Sequence, residues 1–395
     1  MTHILMISTD TTLATQPQGA SRERHRVYAE RFAQHTPDAH LTVIVPSKTA
    51  TEKIPVSEHF TIIAQQGVHK ALFPWDAVRI AKREHHLRPF TLVIAQDPFL
   101  TGIAGVLLRR VLQVPLLVQN HSVFFNNPAF IAEHPLRNRV LITLAERVVK
   151  MADFYRTVNH HQRAIYIQQG GEPERASVLP LGTAAPEFAQ PASLETLRDV
   201  RHQLGLTDDE HILLWVGHDY VTKRHHLLID ILANVVKLHP KTRLLMVGNL
   251  SNIQAQLTQR AVGLGVEKQI TFVGGVPFQQ LPLYYQMSDV YIHTSSYEGA
   301  PRVFFEASAS GLPTVAFAVP GMQECIQVGV NGYLATDGDL DGFASHISTL
   351  LQNADLRERL GKQAQEIAFR EYAADGYADR WVALWLQAIE LGKRA

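Results

Sequence analysis

Short apolar runs alternate with longer amphipathic segments along the first half of the chain. The apolar runs predict strands at residues 4–8, 41–45, 61–64, 91–95 and 116–119, and helical periodicity between them predicts helices at residues 22–34, 74–86 and 101–112. Strands and helices in this alternation predict a doubly wound sheet of parallel strands. In such a sheet, ligands bind beyond the carboxyl ends of the strands.

The alternation stops near residues 188–193, where Gln190, Pro191 and Ser193 have the composition of a linker. It restarts with apolar strands at residues 212–217, 243–247, 269–273 and 314–318, and with helices at residues 225–238, 340–353, 354–369 and 377–391. We therefore expect two Rossmann-like α/β domains, residues 1–189 and 190–372, followed by a terminal helical segment at residues 373–395. Two such domains are expected to face one another across a cleft, the commonest place for a small-molecule site.

The composition is that of a soluble globular protein: 395 residues, 46% hydrophobic and 19% charged. The formal net charge is zero, so we expect no nucleic-acid partner. The single cysteine, Cys325, excludes an internal disulfide and fits a reducing compartment. No apolar run approaches the ~18 residues of a membrane span, and the first residues lack the layout of a signal peptide. We expect a cytoplasmic protein.

The first half of the chain is modestly basic, with 20 Lys and Arg against 15 Asp and Glu in residues 1–190. Residues 136–150 predict a basic amphipathic helix, and residues 123–130 are unusually aromatic for a loop. A solvated surface, core packing, an acceptor pocket and peripheral contact with the inner membrane surface all remain open. Adjacent histidines occur at His85–His86, His160–His161 and His225–His226. Neighbours in sequence point apart on a helix or strand, so these pairs predict no metal site.

The stretch from Ser295 to Pro313 carries the strongest chemical signal. It reads S-S-Y-E-G-A-P-R-V-F-F-E-A-S-A-S-G-L-P and follows an apolar strand at residues 289–293. Pro301 is expected at the first position of a helix that Gly311 and Pro313 end. The backbone amides near Gly299 and Ala300, together with the positive end of the helix dipole, predict an anion site.

Two carboxylates, Glu298 and Glu306, flank this predicted anion site. They would repel the anion if both faced it, but they suit hydroxyl groups on either side of it. A sugar on one side of a diphosphate and a ribose on the other describe a nucleotide-sugar.

Glu298 and Glu306 have seven residues between them, and Ala307 and then G-L-P at 311–313 follow. This pattern resembles the E-x7-E signature of retaining GT-B glycosyltransferases, the large family that includes sucrose synthase and glycogen synthases. The resemblance implies a GT-B fold of two Rossmann-like domains, with the C-terminal helix crossing back to the first domain. It implies that Glu298 binds a donor-sugar hydroxyl and Glu306 the ribose.

The loop at residues 217–224 resembles the family's diphosphate-binding loop. Lys223 matches the lysine that grips the diphosphate, but His218 stands where an arginine is usual. Because histidine is only partly charged near neutrality, Arg224 or Arg302 is needed to compensate, and the sequence leaves open which one does. Residues 181–184 keep only the glycine of a turn that is usual in the family.

His121, which follows a predicted strand, matches a family histidine beside the transferred sugar, and Gly19 lets a backbone approach a ligand closely. The expected catalytic residues are His121, Lys223 and Glu298. The expected donor-binding residues are Gly19, His218, Lys223, Arg224, Glu298, Gly299, Ala300, Pro301 and Glu306.

The predicted reaction moves a hexose from a UDP- or GDP-linked donor to a carbohydrate, lipid-linked or small-molecule hydroxyl acceptor, with retention of configuration. Lys223 and the amides at 299–300 can stabilise the leaving diphosphate, so neither a metal nor a cofactor is expected. A glycosidase would need both carboxylates to flank one bond, which the predicted anion site between them opposes. A GT-B nucleotide-sugar epimerase and a degenerate protein that binds nucleotide-sugars without transfer remain alternatives.

Overall fold

The computed structural model describes residues 2–67, 70–180, 186–373 and 376–393. The chain divides into two compact units, Met1–Pro180 with Asp375–Ala395, and Leu181–Ala374. The divisions at 180/181 and 374/375 lie near the 189/190 and 372/373 boundaries that the sequence predicts. The turn expected at residues 181–184 lies outside the described residues.

The described part of the first unit contains an eight-stranded sheet with the order β3-β4-β2-β1-β5-β6-β7-β8. Its strands are β1 His3–Ile7, β2 His40–Ser47, β3 Glu52–Ser57, β4 Phe60–Gln66, β5 Leu92–Ala95, β6 Leu116–Gln119, β7 Phe154–Thr157 and β8 Ala176–Val178. Pairing is parallel except between β3 and β4. The sequence analysis missed β3, because this partly exposed edge strand contains Pro55 and has no clear apolar alternation.

The described part of the second unit contains a six-stranded parallel sheet with the order β11-β10-β9-β12-β13-β14. Its strands are β9 His211–Val216, β10 Thr242–Val247, β11 Ile270–Gly274, β12 Val290–His293, β13 Thr314–Phe317 and β14 Gly332–Ala335. The expectation of two α/β units with parallel sheets is confirmed. The short strand β14 was not predicted, because two of its four residues are only partly buried.

The helices connect successive strands and cover both faces of each sheet. They are α1 Thr12–Thr15, α2 Ala20–His35, α3 Phe73–Leu87, α4 Leu100–Leu112, α5 Pro128–Glu133, α6 Pro135–Lys150, α7 His160–Gln168, α8 Leu194–Gln203, α9 His225–Val235, α10 Gln254–Leu264, α11 Leu281–Gln286, α12 Arg302–Ala309, α13 Pro320–Cys325, α14 Leu340–Gln352, α15 Ala354–Tyr372 and α16 Tyr377–Gly392.

The last helix, α16, packs on the first unit, as expected. Its buried Trp385 contacts the rings of Tyr28 and Phe32 on α2, with centroids 6.3 and 5.7 Å away. Trp381 on the same helix contacts Tyr28 at 5.8 Å. The aromatic side chains of α16 therefore complete the core on one face of the first sheet.

Candidate active site

The strand order of the second unit places the ends of β9 and β12 side by side. The chain proceeds from β9 to β10 on one flank, and β12 pairs with β9 on the other flank. Such a reversal of strand order opens the crevice in which α/β sheets bind ligands. The loop after β9 carries Lys223 and Arg224, and the loop after β12 carries Glu298.

Arg224 ties these two loops together. Its backbone has the left-handed conformation, φ +50°, between a short 3₁₀ turn and α9. Its guanidinium donates to the carbonyl oxygens of Thr294 at 2.7 Å and Ser295 at 3.0 Å, and to Asp337 at 2.5 Å. Because a non-glycine residue in this conformation is strained, these contacts are what hold it there. Arg224 thereby fixes the end of β12 against the loop that carries Lys223.

Glu298 is the centre of the site. Nζ of Lys223 donates to its Oε1 at 2.7 Å, and Nε2 of His293 donates to the same Oε1 at 2.7 Å. Within the described residues, no donor contacts Oε2. That oxygen therefore remains able to accept a hydrogen bond from a ligand.

The surroundings keep Glu298 ionised. Burial acts to raise the pKa of Glu298, but His293 and Lys223 outweigh burial and lower it to about 2. Burial also lowers the pKa of His293, although Glu298 opposes that effect. At neutral pH the site therefore contains a carboxylate held by a neutral imidazole and an ammonium group.

The helix after Glu298 begins one residue later than predicted. Pro301 is the N-cap residue, with φ −73° and ψ 115°, and α12 starts at Arg302. A proline with an extended ψ cannot begin the helical turn itself, so the prediction that Pro301 occupies the first helical position is wrong. Gly299 and Ala300 precede the cap and are partly exposed at the start of α12.

Glu306 lies in a separate hydrogen-bonded pair on the buried side of α12. The hydroxyl of Tyr285 donates to its Oε2 at 3.0 Å, and Arg302 lies one turn earlier, 3.7 Å from its Oε1. Burial raises the pKa of Glu306, while Arg302 and Tyr285 oppose that effect. The carboxylate of Glu306 therefore has a different set of partners from the carboxylate of Glu298.

Gly321 on α13 supports the loop that carries Glu298. A Cβ atom at Gly321 would lie 2.8 Å from the carbonyl oxygen of Gly299 and closer still to that of Glu298. Only glycine lets the start of α13 approach the loop this closely. The sequence analysis missed Gly321, since no local pattern marks a contact between residues 298 and 321.

The other predicted residue of this unit, His218, is exposed. Its carbonyl oxygen lies 3.1 Å from Nε2 of His225, and its ring meets that of Tyr220 at 6.0 Å. In the part of the chain that the structure describes, the His218 ring has no ion-pair partner. The side chains of Lys223 and Arg224, by contrast, both form ion pairs, with Glu298 and Asp337 respectively.

In the first unit, His121 follows β6 and Gly19 is the N-cap residue of α2. Nη1 of Arg156 donates to Nδ1 of His121 at 3.2 Å, so Nε2 carries the proton of the neutral ring. Burial, and then the charge of Arg156, hold the pKa of His121 well below its usual range. Arg156 is fully buried, with its guanidinium 4.8 Å above the ring of Trp381.

The described residues contain no group of three or more His, Cys, Asp or Glu side chains that could hold a metal ion. None of their helices combines the length and the hydrophobicity needed to span a membrane.

Comparisons with known proteins assign the family. Residues 24–182 match the glycosyl transferase 4-like domain, and residues 198–367 match the glycosyl transferases group 1 family. A D-inositol 3-phosphate glycosyltransferase from Geodermatophilus obscurus is 25% identical over 377 residues, which span 89% of this chain and 83% of that protein.

Solved structures agree in fold. Sucrose-phosphate synthase from Thermosynechococcus elongatus superposes with a TM-score of 0.78 at 22% identity, over 99% of this chain and 100% of that one. HepE from Anabaena, solved in complex with UDP and glucose, gives a TM-score of 0.73 at 21% identity, over 97% and 99% of the two chains. The chain therefore belongs to the glycosyltransferases of GT-B fold, with a 4-like domain in its first half and a group 1 domain in its second half.

Proposed function

We propose that this glycosyltransferase moves a hexose from a UDP- or GDP-linked donor to a hydroxyl acceptor, with retention of anomeric configuration and without a metal ion. The observation that carries the proposal is the Lys223–Glu298 pair at the carboxyl ends of β9 and β12. The pair offers an ammonium group for a diphosphate and a carboxylate for a sugar hydroxyl within one site.

Cleavage of the donor leaves negative charge on the diphosphate and positive charge on the sugar. In this proposal Lys223 stabilises the leaving diphosphate through its positive charge, and the start of α12, at Gly299 and Ala300, does so through the helix dipole. Glu298 accepts a hydroxyl of the transferred sugar through Oε2, and Glu306 accepts the ribose hydroxyls after exchange of its bond with Tyr285. The acceptor attacks from the side of the leaving group, and the diphosphate takes its proton.

Arg302 is the arginine that we propose as the substitute for the missing family arginine at His218. Its guanidinium is largely exposed and lies at the first turn of α12. The guanidinium of Arg224, by contrast, is engaged with Thr294, Ser295 and Asp337. We assign His121 contact with the transferred sugar through Nε2, and Gly19 close approach to a ligand, as the family resemblance implies.

We also propose that the first unit binds the acceptor and works at an anionic membrane surface in the cytoplasm. On α6, Leu136, Val140 and Leu144 form a stripe at i, i+4 and i+8 and are 82%, 60% and 38% exposed. Arg137 and Arg139 are exposed on the same helix. Apolar side chains beside cations suit the interface of anionic lipids. Vesicles that contain anionic lipid should retain the protein, and the paired substitution Leu136→Ser with Val140→Ser should release it.

The direct test is thermal unfolding of the protein with a panel of UDP-, GDP-, ADP- and TDP-sugars, followed by transfer assays with the nucleotide that binds. A ligand at ~100 times its Kd should add roughly 2.7 kcal/mol of stability. Lys223→Ala should abolish the shift, whereas Lys237→Ala, at an exposed lysine bonded to Asn234, should keep it.

The product decides among the alternatives. NMR coupling constants give the anomeric configuration of the product, and a configuration that matches that of the donor sugar supports the proposal. Inversion would refute retention, and conversion of the donor to another nucleotide-sugar would indicate the epimerase. Binding without transfer or hydrolysis would indicate the degenerate binding protein.

A further inference from the structure

Two polar side chains lie on one face of the otherwise apolar strand β12. Tyr291 and His293 are two positions apart, so both side chains project from the same side of the strand. Both residues are buried. Polar groups in such a place are retained when their hydrogen bonds are satisfied.

The two side chains form a hydrogen-bonded chain that ends at Glu298. The Tyr291 hydroxyl lies 3.0 Å from Nδ1 of His293, and Nε2 of His293 lies 2.7 Å from Oε1 of Glu298. A carboxylate can only accept, so Nε2 carries the proton of the neutral ring. Nδ1 must then accept from the hydroxyl of Tyr291. Each of the two hydrogen bonds therefore has only one possible donor, which fixes both the tautomer and the orientation of the ring.

The second donor to Glu298 is more accessible than the first. The side chain of Lys223 is 18% exposed and that of His293 only 1%. Under the proposed function, Lys223 turns toward the diphosphate when the donor binds. The same movement is not open to His293, because its ring is enclosed and its other nitrogen is held by Tyr291.

We propose that His293 is a positioning residue of the transfer site: it holds Oε1 of Glu298 so that Oε2 faces the sugar after Lys223 has moved to the diphosphate. This inference rests on the proposed function. It assigns to Tyr291 the role of fixing the His293 tautomer. It also gives a reason for a buried histidine at the last position of an otherwise apolar strand, which the E-x7-E pattern does not contain.

The test compares three variants with the wild-type enzyme in steady-state transfer assays. His293→Leu removes the donor and should lower kcat by ~10- to 100-fold, the value of one hydrogen bond to a charged group. His293→Gln places an amide N–H near the position of Nε2 and should restore most of that loss. Tyr291→Phe should give an intermediate loss, because the ring keeps Nε2 but no longer has a fixed tautomer. His239→Leu, at a histidine outside the candidate site, is the matched control and should retain wild-type rates.

The pH dependence separates positioning from a general packing effect. Four charged or titratable groups face His293. Tyr291 lies on the same strand, Glu298 on the loop after β12, and Lys223 and Arg224 on the loop after β9. In the donor complex, where Lys223 has turned to the diphosphate, removal of His293 leaves burial to raise the pKa of Glu298. The ratio of variant to wild-type kcat should therefore fall between pH 8 and pH 5.5 for His293→Leu. The ratio should stay level for His293→Gln.

The outcomes are decisive in both directions. Equal kcat for His293→Leu and the wild type, or a loss in His293→Gln as large as in His293→Leu, would overturn the inference. If His293→Leu fails to fold, the comparison of Tyr291→Phe and His293→Gln with the wild type decides in its place. Absence of transfer by the wild-type enzyme with every donor would instead refute the proposed function, and that result is seen before any variant is measured.

Discussion

Replacing Gly321 by alanine tests whether the geometry of the Glu298 loop controls activity, because the change removes no functional group. The Cβ atom that alanine adds would lie 2.8 Å from the Gly299 carbonyl oxygen and closer to that of Glu298. Both neighbours are backbone atoms, which cannot rotate away as a side chain can. Either α13 or the loop must therefore move, by about 1 Å if the contacts are to reach ordinary packing distances of ~3.5 Å.

The expected consequence is a large loss of rate with a moderate loss of stability. A 1 Å displacement of catalytic groups lowers rates by roughly 100-fold, so kcat/KM of Gly321→Ala should fall by about that factor. Overpacking of this kind lowers the free energy of unfolding by ~1–3 kcal/mol. Steady-state kinetics and urea unfolding measure the two quantities on the same preparation.

Gly263→Ala is the matched control. Gly263 lies on α10, and a Cβ atom there would meet no atom within 4 Å. Alanine should stabilise that helix by up to ~1 kcal/mol and leave kcat/KM unchanged. If Gly321→Ala retained wild-type kcat/KM, the loop would tolerate displacement, and the inference that its position controls transfer would fail.

Three further perturbations address the remaining parts of the molecule. Glu306→Gln keeps the shape of the side chain and should leave the melting temperature nearly unchanged while transfer falls at least tenfold; loss of folding would indicate a structural role instead. Burial lowers the pKa of His3 to about 3 and that of His25 to about 4, so both contribute stability above the unfolded pKa of 6.5 that is lost as pH falls. Between pH 8 and pH 5 each should reduce the free energy of unfolding by about 2 kcal/mol, and His3→Gln should flatten that dependence in urea titrations. Trp385→Ala, which empties a buried site against Phe32, should lower the free energy of unfolding by ~3–5 kcal/mol, and a loss below ~1 kcal/mol would mean that α16 is not integral to the first unit.

The sequence predicts the framework well because its signals are local. Every strand that an apolar run predicts begins within one residue of its predicted start, as at Leu116 and Thr314. Buried parallel strands are continuously apolar, and this is a property of the strand itself. Elements with weak local patterns are not predicted. Examples are β3, which contains a proline, and α8, which has no fully buried residue.

The candidate site is predicted in part for the same reason. Lys223 and Glu298 stand out through motif spacing, but the motif does not say that they bond to each other across 75 residues. The partners His293 and Gly321 carry no local signal, since their importance comes from contacts made by other strands and helices. Arg224 was expected at the diphosphate, whereas its guanidinium is engaged with two backbone carbonyls and Asp337.

These contacts hold the loop after β9 without the side chain of His218, whose ring meets only that of Tyr220 among the described residues. Arg224 holds the end of that loop to the carbonyls that follow β12. The hydroxyl of Thr294 donates to the carbonyl of Lys223 at 2.8 Å, and the amide of Ser296 donates to that of Thr222 at 2.9 Å. These four bonds between two neighbouring loops thus fix the backbone of residues 222–224, from which the side chain of Lys223 extends. An ammonium group carried on a fixed backbone reaches a leaving diphosphate by rotation of its own side chain alone, and fixed charge near a developing anion is usually the largest single contribution to such catalysis.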